Sequence, residues 1–251
     1  MKKNMKILPF FMGLAFLSTT LAYAEDPVKE ALKPEGWSFD IGGTYTWMSF
    51  STPPTYKGST GGAKAAITYQ KPWEAFGQAR SFYNAGSLSG PKNSSHIHEW
   101  YTELVGGYCF PVIGNWSITP YAGLGVDFLH DRHTKTSSLA SISLRYSLYY
   151  AVAGIDTRYF GRDWMVGVQA DCLPFFNEYL NIKSLSGLSW ILGNRVGTSV
   201  RIPMAYRFVK NYWLEFTPYY RKVPIGTSDN LGFPHRNLTQ WGAFLTFRFF
   251  I

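Results

Sequence analysis

Apolar and polar residues alternate along this chain with a period of two. The clearest stretch is Leu238 to Ile251, where Trp241, Ala243, Leu245, Phe247, Phe249 and Ile251 take every second position, with Gly242, Thr246 and Arg248 between them. That period builds a strand with one apolar and one mixed face. The same pattern predicts strands over 37–50, 61–70, 74–85, 98–110, 116–130, 142–159, 164–175, 195–208, 213–221 and 239–251. In the sixth of these, Ile142, Leu144, Tyr146, Leu148, Tyr150 and Val152 form the apolar, outward set. Slips of phase near Asp156 and Pro203 predict bulges or strand ends.

The connections alternate between short and long. Segments 71–73, 111–115, 160–163 and 209–212 are tight, whereas 51–60, 86–97, 131–141, 176–194 and 223–238 are extended. Short turns at one end and longer loops at the other, on an even number of antiparallel strands, predict an all-β, ten-stranded transmembrane β-barrel with both termini inside. Eight strands result if one hairpin is an extended loop. A soluble β-sandwich also alternates, but it turns its polar faces to water. Here those faces carry few lysines, and Trp37, Tyr108, Trp116, Trp164 and Phe249 gather at strand ends, as interfacial aromatic girdles do.

Composition changes the picture in two ways. Aromatics make up 18% of the chain and charged residues only 16%, yet after residue 24 no run of 18 or more apolar residues appears, so the chain crosses a membrane with strands or not at all. The start reads as a secretory signal: Lys2, Lys3 and Lys6, an apolar run from Ile7 to Leu21, then Ala22-Tyr23-Ala24, with cleavage near Ala24. The expected division is a signal peptide over 1–24, a polar periplasmic arm over 25–35 and the barrel over 36–251. Without the signal, 21 Lys+Arg face 16 Asp+Glu. The bases are scattered singly, which excludes a nucleic-acid partner. Cys109 should face the lumen and Cys172 outward, so no disulfide between them is expected.

At this point the chain resembles the outer-membrane β-barrel proteins of Gram-negative bacteria. The carriers of the resemblance are the strand plan and the closing strand with Leu245, Phe247 and Phe249 in phase, although the last residue is Ile251 and not the usual aromatic. The resemblance implies residence in the outer membrane, contact with its lipid and lipopolysaccharide, and recognition of the last strand by the barrel-assembly machinery. The strand count resembles that of the omptins, outer-membrane proteases that use an Asp-x-His pair facing an Asp-x-Asp pair. Asp131 and His133 match the first pair in spacing, on an earlier strand than that family uses, and no Asp-x-Asp occurs in the chain. The catalytic set is therefore incomplete, and no catalytic residue, cofactor or metal site is assigned.

The mixed faces place Asp40, Glu74, Glu99, Glu103, Asp127, Asp171 and Glu215 in the lumen. The same faces bring in Lys64, Arg80, Arg145, Arg201, Arg207, Arg221 and Arg248. Acids and bases in equal number suit a salt-bridged, filled interior, because an unpaired buried charge costs several kcal/mol. Alternatively Arg201, Arg207, Arg221 and Arg248 line a narrow anion-preferring path. His96, His98, Asp131, His133 and His235, with His130, fall at the outer rim. Segment 86–97 reads as a small polar outside loop, and 176–194 as a lid or apolar patch carrying Leu180, Ile182, Leu185, Leu188, Trp190, Ile191 and Leu192. Three functions follow in order: binding or envelope contact through the outside loops, including an extracellular ligand; a narrow anion pore; an omptin-like protease.

Overall fold

The computed structural model describes residues 35–51, 55–71, 73–91, 93–112, 114–133, 143–182, 188–226 and 236–251. The expected signal peptide, nearly all of the arm and His235 lie outside these residues. Thirteen strand segments follow one another: β1 Gly36–Phe50, β2 Tyr56–Gln70, β3 Ala75–Ser89, β4 Ser94–Tyr108, β5 Phe110–Pro111, β6 Trp116–His133 and β7 Ser143–Phe160. Then come β8 Trp164–Ile182, β9 Leu188–Leu192, β10 Val196–Arg201, β11 Met204–Val209, β12 Tyr212–Ile225 and β13 Arg236–Phe250.

These segments make ten antiparallel barrel strands. Segment β5 continues β4 past Cys109, while β9, β10 and β11 run along β8 as one strand, interrupted after Leu192 and again at Ile202-Pro203. Proline has no N–H to give the ladder. The break stays hydrogen-bonded on both sides nonetheless, with Gly167 N donating to Pro203 O at 2.8 Å and Ile202 N donating to Pro218 O at 3.0 Å. The last strand pairs with β1 from Ser38↔Phe250 to Phe50↔Leu238, and with β12 from Tyr212↔Phe249 to Ile225↔Arg236. The opening pattern of the C-terminal stretch thus closes the sheet on itself and leaves no free edge.

The distribution of side chains is the reverse of a soluble protein's. Ile41, Leu104, Leu124, Leu245 and Phe247 are exposed on the outside, and Asp40, Glu99, Glu103, Asp127 and Arg221 are buried inside. Cys109 is buried and Cys172 exposed, in the directions that alternation implies.

Three expectations change. Every even residue of β7 from Leu144 to Val152 points inward, so these members of the set assigned to the outside in the sixth predicted strand face the lumen, Ile142 lies outside the described residues, and Arg145 is turned out. The slip placed near Asp156 lies instead on β8, where Tyr149 pairs with Asn177 but Tyr150 pairs with Phe175, leaving Phe176 as the extra residue. The outside loops are also shorter. Most of 86–97 belongs to β3 and β4, and the turn is closed by Gly90 N donating to Asn93 O at 2.9 Å. Residues 176–182 and 188–192 extend the wall as the end of β8 paired with β9, from Glu178↔Leu192 to Ile182↔Leu188, where a lid was expected, and Leu185 lies outside the described residues.

Candidate functional site: a filled lumen and a cationic outer wall

Cross-strand neighbours on one face of a sheet meet side chain to side chain. Alternation therefore delivers the lumen charges as pairs. Asp40 on β1 lies opposite Arg248 on β13, and Arg80 on β3 opposite Glu103 on β4. Towards the inner end, which carries the short turns and both ends of the barrel chain, Arg248 holds Asp40 through two hydrogen bonds of 2.7 and 2.8 Å. It also reaches Glu215 at 2.9 Å, and Lys64 meets the other Glu215 oxygen at 3.5 Å. Arg158 grips Asp156 beside them.

Mid-barrel, Arg80 binds Glu103, and Arg201 bridges Asp171 at 3.0 Å and Glu103 at 3.5 Å. Tyr121 Oη donates to Asp171 and Tyr150 Oη donates to Glu103. Further out, Arg221 donates to Glu99 at 3.0 Å and to Asp127 at 2.8 Å, its guanidinium 4.3 Å from the centre of the Tyr101 ring. Gln240 Nε2 donates to the second oxygen of Glu99 at 2.6 Å. Above these ion pairs the lumen turns apolar. Met48, Leu88, Ile97, Leu129, Leu148 and Val223 are fully or almost fully buried there, with Tyr146 and Phe175 among them.

Cavities inside the lumen measure about 20 Å³ beside Lys64 and Arg201 and about 10 Å³ beside Gly36 and Arg248. Each has room for about one water.

Eleven of the thirteen candidate lumen charges other than Glu74 sit where alternation places them: Asp40, Lys64, Arg80, Glu99, Glu103, Asp127, Asp171, Arg201, Glu215, Arg221 and Arg248 are all buried. Arg145 is exposed, for the reason given by the phase of β7. Arg207 is at the inner rim, where Nη2 pairs with Asp163 at 2.5 Å. Glu74 precedes β3 and pairs with Lys71 in the open. The structure adds Asp156 and Arg158, which sequence reading passed over although an unbroken count of two back from Phe160 reaches both.

At the outer mouth, Asp131 accepts a hydrogen bond from Ser95 and lies 3.1 Å from His133 Nε2, with the Tyr56 ring edge against the imidazole at 5.0 Å. Serine and histidine both address the carboxylate, so this serine is not aligned with a base as a nucleophile would be. Glu178 is wholly buried higher on β8, well beyond the roughly 9–11 residues a strand needs to cross hydrocarbon. One of its oxygens accepts from Gly226 N at 2.7 Å, and the other has no hydrogen-bond partner. Burial pushes this carboxyl up to about 7, against the opposing pull of the Gly226 N–H and Arg195.

His96, His98 and His130 are on the outer wall of the barrel, outside its mouth. The register sets His98 against His130, His96 against Arg132, and His130 against Arg145, around a groove of about 430 Å³ floored by Ala85, Gly86 and Ser87. Tyr83 Oη is 2.9 Å from His98 Nδ1, and the His98 and His130 rings stand 6.2 Å apart. Burial, then the Arg145 charge, holds His130 below the ordinary imidazole range. Among the described residues the acids that reach the surface, Glu35, Glu74 and Asp163, all belong to the inner end. At the outer end the exposed charges are Lys57, His96, His98, Arg132, Arg145, Arg195 and Lys222.

Among solved structures, the outer membrane protease OmpT of Escherichia coli is similar with a TM-score of 0.59, over 87% of this chain and 98% of that one, at 10% identity. The fold is that of the Gram-negative outer-membrane β-barrels. The translocator domain of the autotransporter NalP from Neisseria meningitidis is similar to this barrel with a TM-score of 0.50, over 86% and 89% of the two chains, at 8% identity. Neither a protein-family model nor a curated relative matches the barrel. At such identities the likeness concerns the fold alone. Its exposed aliphatic belt is the lipid-facing surface, and Trp37, Trp73, Trp116 and Trp164 mark its inner interface.

Proposed function

We propose that this protein is a non-conducting outer-membrane barrel that acts at the cell surface through its outer end, in contact with the envelope and its surroundings. The observation that carries the reading is the filled lumen: paired charges through the lower barrel and an apolar plug over them. Barrels of eight strands are roughly filled by side chains and those of sixteen are open, which puts ten near the filled end. The arginines that would favour anions in a pore each have carboxylate partners here: Arg201 has Asp171, Arg221 has Glu99 and Asp127, and Arg248 has Asp40. Refolded protein in a planar lipid bilayer is expected to give no single-channel current. Discrete steps from verified, inserted protein would turn the reading into a pore.

The partner at the outer end, on this reading, is the phosphorylated headgroup of lipopolysaccharide. His98 and His130 stand two residues outward of the interfacial Trp100 and Phe128, which puts the cationic groove at headgroup height, with Arg132 and Arg145 flanking it. Each exposed arginine near an anionic lipid surface contributes roughly 1 kcal/mol. Bilayers of bisphosphorylated lipid A should raise the unfolding temperature above that in dephosphorylated lipid A, and the double substitution Arg132→Gln, Arg145→Gln should remove most of the gain. Equal temperatures in the two lipids would rule this partner out. Omptin-like proteolysis is not proposed, because Asp131 and His133 have no second acid pair to face.

A further inference from the structure

Two rows of outward side chains cross the outer wall at the height of the groove. The first runs from Ala85 on β3 through His98 and His130 to Arg145 on β7, and the second from Ser87 through His96 and Arg132 to Ser143. Directly opposed side chains on one face of a sheet stand about 5 Å apart at Cβ. Three imidazoles and two guanidinium groups therefore share one patch. The guanidinium groups are charged at every working pH, whereas imidazoles titrate near neutrality.

Each imidazole has one nitrogen committed to a hydroxyl: His96 Nδ1 to Ser87 Oγ at 2.9 Å, His98 Nδ1 to Tyr83 Oη at 2.9 Å, and His130 Nε2 to Ser143 Oγ at 2.8 Å. A hydroxyl donates to a neutral ring and accepts from a charged one, so protonation breaks none of these bonds. The other nitrogen of each ring remains for a ligand in the groove, which all three residues line. Among the described residues no carboxylate shares this face. Around the rings β2 presents Lys57, β3 Tyr83 and Ser87, β6 Arg132, β7 Arg145 and β8 Asn181, while Asp131 is on the inner side of β6. The empty patch resists protonation, since burial and then the Arg145 charge disfavour the charged form of His130. An anion seated between the rows reverses that balance.

We propose that this patch is a proton-coupled phosphate site: a lipid phosphate seats on Arg132 and Arg145, and His96, His98 and His130 take up protons as it does so. The site rests on the lipopolysaccharide reading above and adds its regulation by pH. A site that holds protons more tightly with its ligand bound gains affinity for that ligand as pH falls. The gain has a lower limit, because a phosphate monoester gives up its second charge near pH ~6. The barrel therefore grips the phosphorylated leaflet most firmly in mildly acidic surroundings.

The test measures unfolding temperatures of the refolded protein in bilayers of bisphosphorylated and of dephosphorylated lipid A, at pH 8 and at pH 6. The reading is the difference between the two lipids at each pH, so the titration of Glu178, common to both, cancels. That difference is expected to roughly double from pH 8 to pH 6, as up to three imidazolium charges join the two arginines. In the triple variant His96→Gln, His98→Gln, His130→Gln it should stay level or shrink, because only the phosphate titrates there. A wild-type difference that does not grow at pH 6, or growth that the triple variant keeps, overturns the proton coupling and leaves the lipid partner standing. No difference at either pH sinks the lipid partner, and the coupling with it. Inorganic phosphate added to the dephosphorylated bilayers is expected to change nothing, and a rise equal to that in bisphosphorylated lipid A would overturn the lipid as the source of the phosphate.

Discussion

Arg221→Leu is expected to destabilise the barrel by about 3–5 kcal/mol, the usual result of removing one partner from a buried ionic cluster. Arg221 is fully buried and is the guanidinium shared by Glu99 and Asp127. Its loss leaves two carboxylates facing one another among Tyr101, Tyr150 and apolar side chains, with Gln240 and Asn84 as the remaining donors to Glu99. Equilibrium unfolding in urea from lipid vesicles, followed by tryptophan fluorescence, reads the change. The triple substitution Glu99→Gln, Asp127→Asn, Arg221→Leu should recover much of it, because neutral amides have no charge to leave unpaired. A single variant within 1 kcal/mol of wild type would mean that water reaches the cluster and that the lumen is not packed as described.

The second expected result concerns pH. Glu178 has its carboxyl raised to about 7 by burial, from the ordinary 4.5. Between those two values the folded protein keeps a proton that the unfolded chain has released. The folded state is thus the better proton binder in that window, and stability falls as pH rises from about 4.5 to about 7. Below the window both states are protonated and nothing is lost; above it both are ionised and the loss is complete. At about 1.4 kcal/mol per unit the full loss is of order 3–4 kcal/mol. Glu178→Gln keeps an oxygen for the Gly226 N–H and cannot ionise, so its unfolding temperature should exceed the wild type's at pH 8 and match it at pH 4. Parallel curves for the two proteins across that range would show that the carboxyl is hydrated in the folded state.

Much of the site could be read from the chain because a strand has only two faces. Once Asp40 is placed inside, Arg248 opposite it follows from the closing strand, and Glu99, Tyr101 and Glu103 follow from Trp100 and Leu104 lying outside. The errors share one origin, the assumption that an apolar face is a lipid face. It holds for β1 and β4, whose inward residues include Asp40, Thr44, Thr46, Glu99 and Glu103, and fails for the outer half of β7, where the inward residues are apolar and Arg145 and Ser147 face out. There Leu144, Tyr146, Leu148 and Tyr150 pack against the plug, and Arg145 is the residue sent outside. Period two cannot distinguish two apolar environments; Asp156 and Arg158, in phase with Leu144 to Val152, are the polar residues that mark this face as the inner one. Loop length failed for a related reason: Ser87, Ser94 and Ser95 look like loop residues, but above the membrane a strand no longer needs an apolar face.

The ten-stranded closed barrel, the lipid-facing belt and most of the charges inside are legible along the chain, since all three depend on local alternation and on the spacing of turns. Which charges meet, the apolar plug that closes the outer lumen and the three histidines on the wall outside the mouth appear once the sheet is closed. Those features depend on the stagger between strands far apart in the chain, such as β4 and β12, and shear is a property of the closed sheet that no single strand encodes.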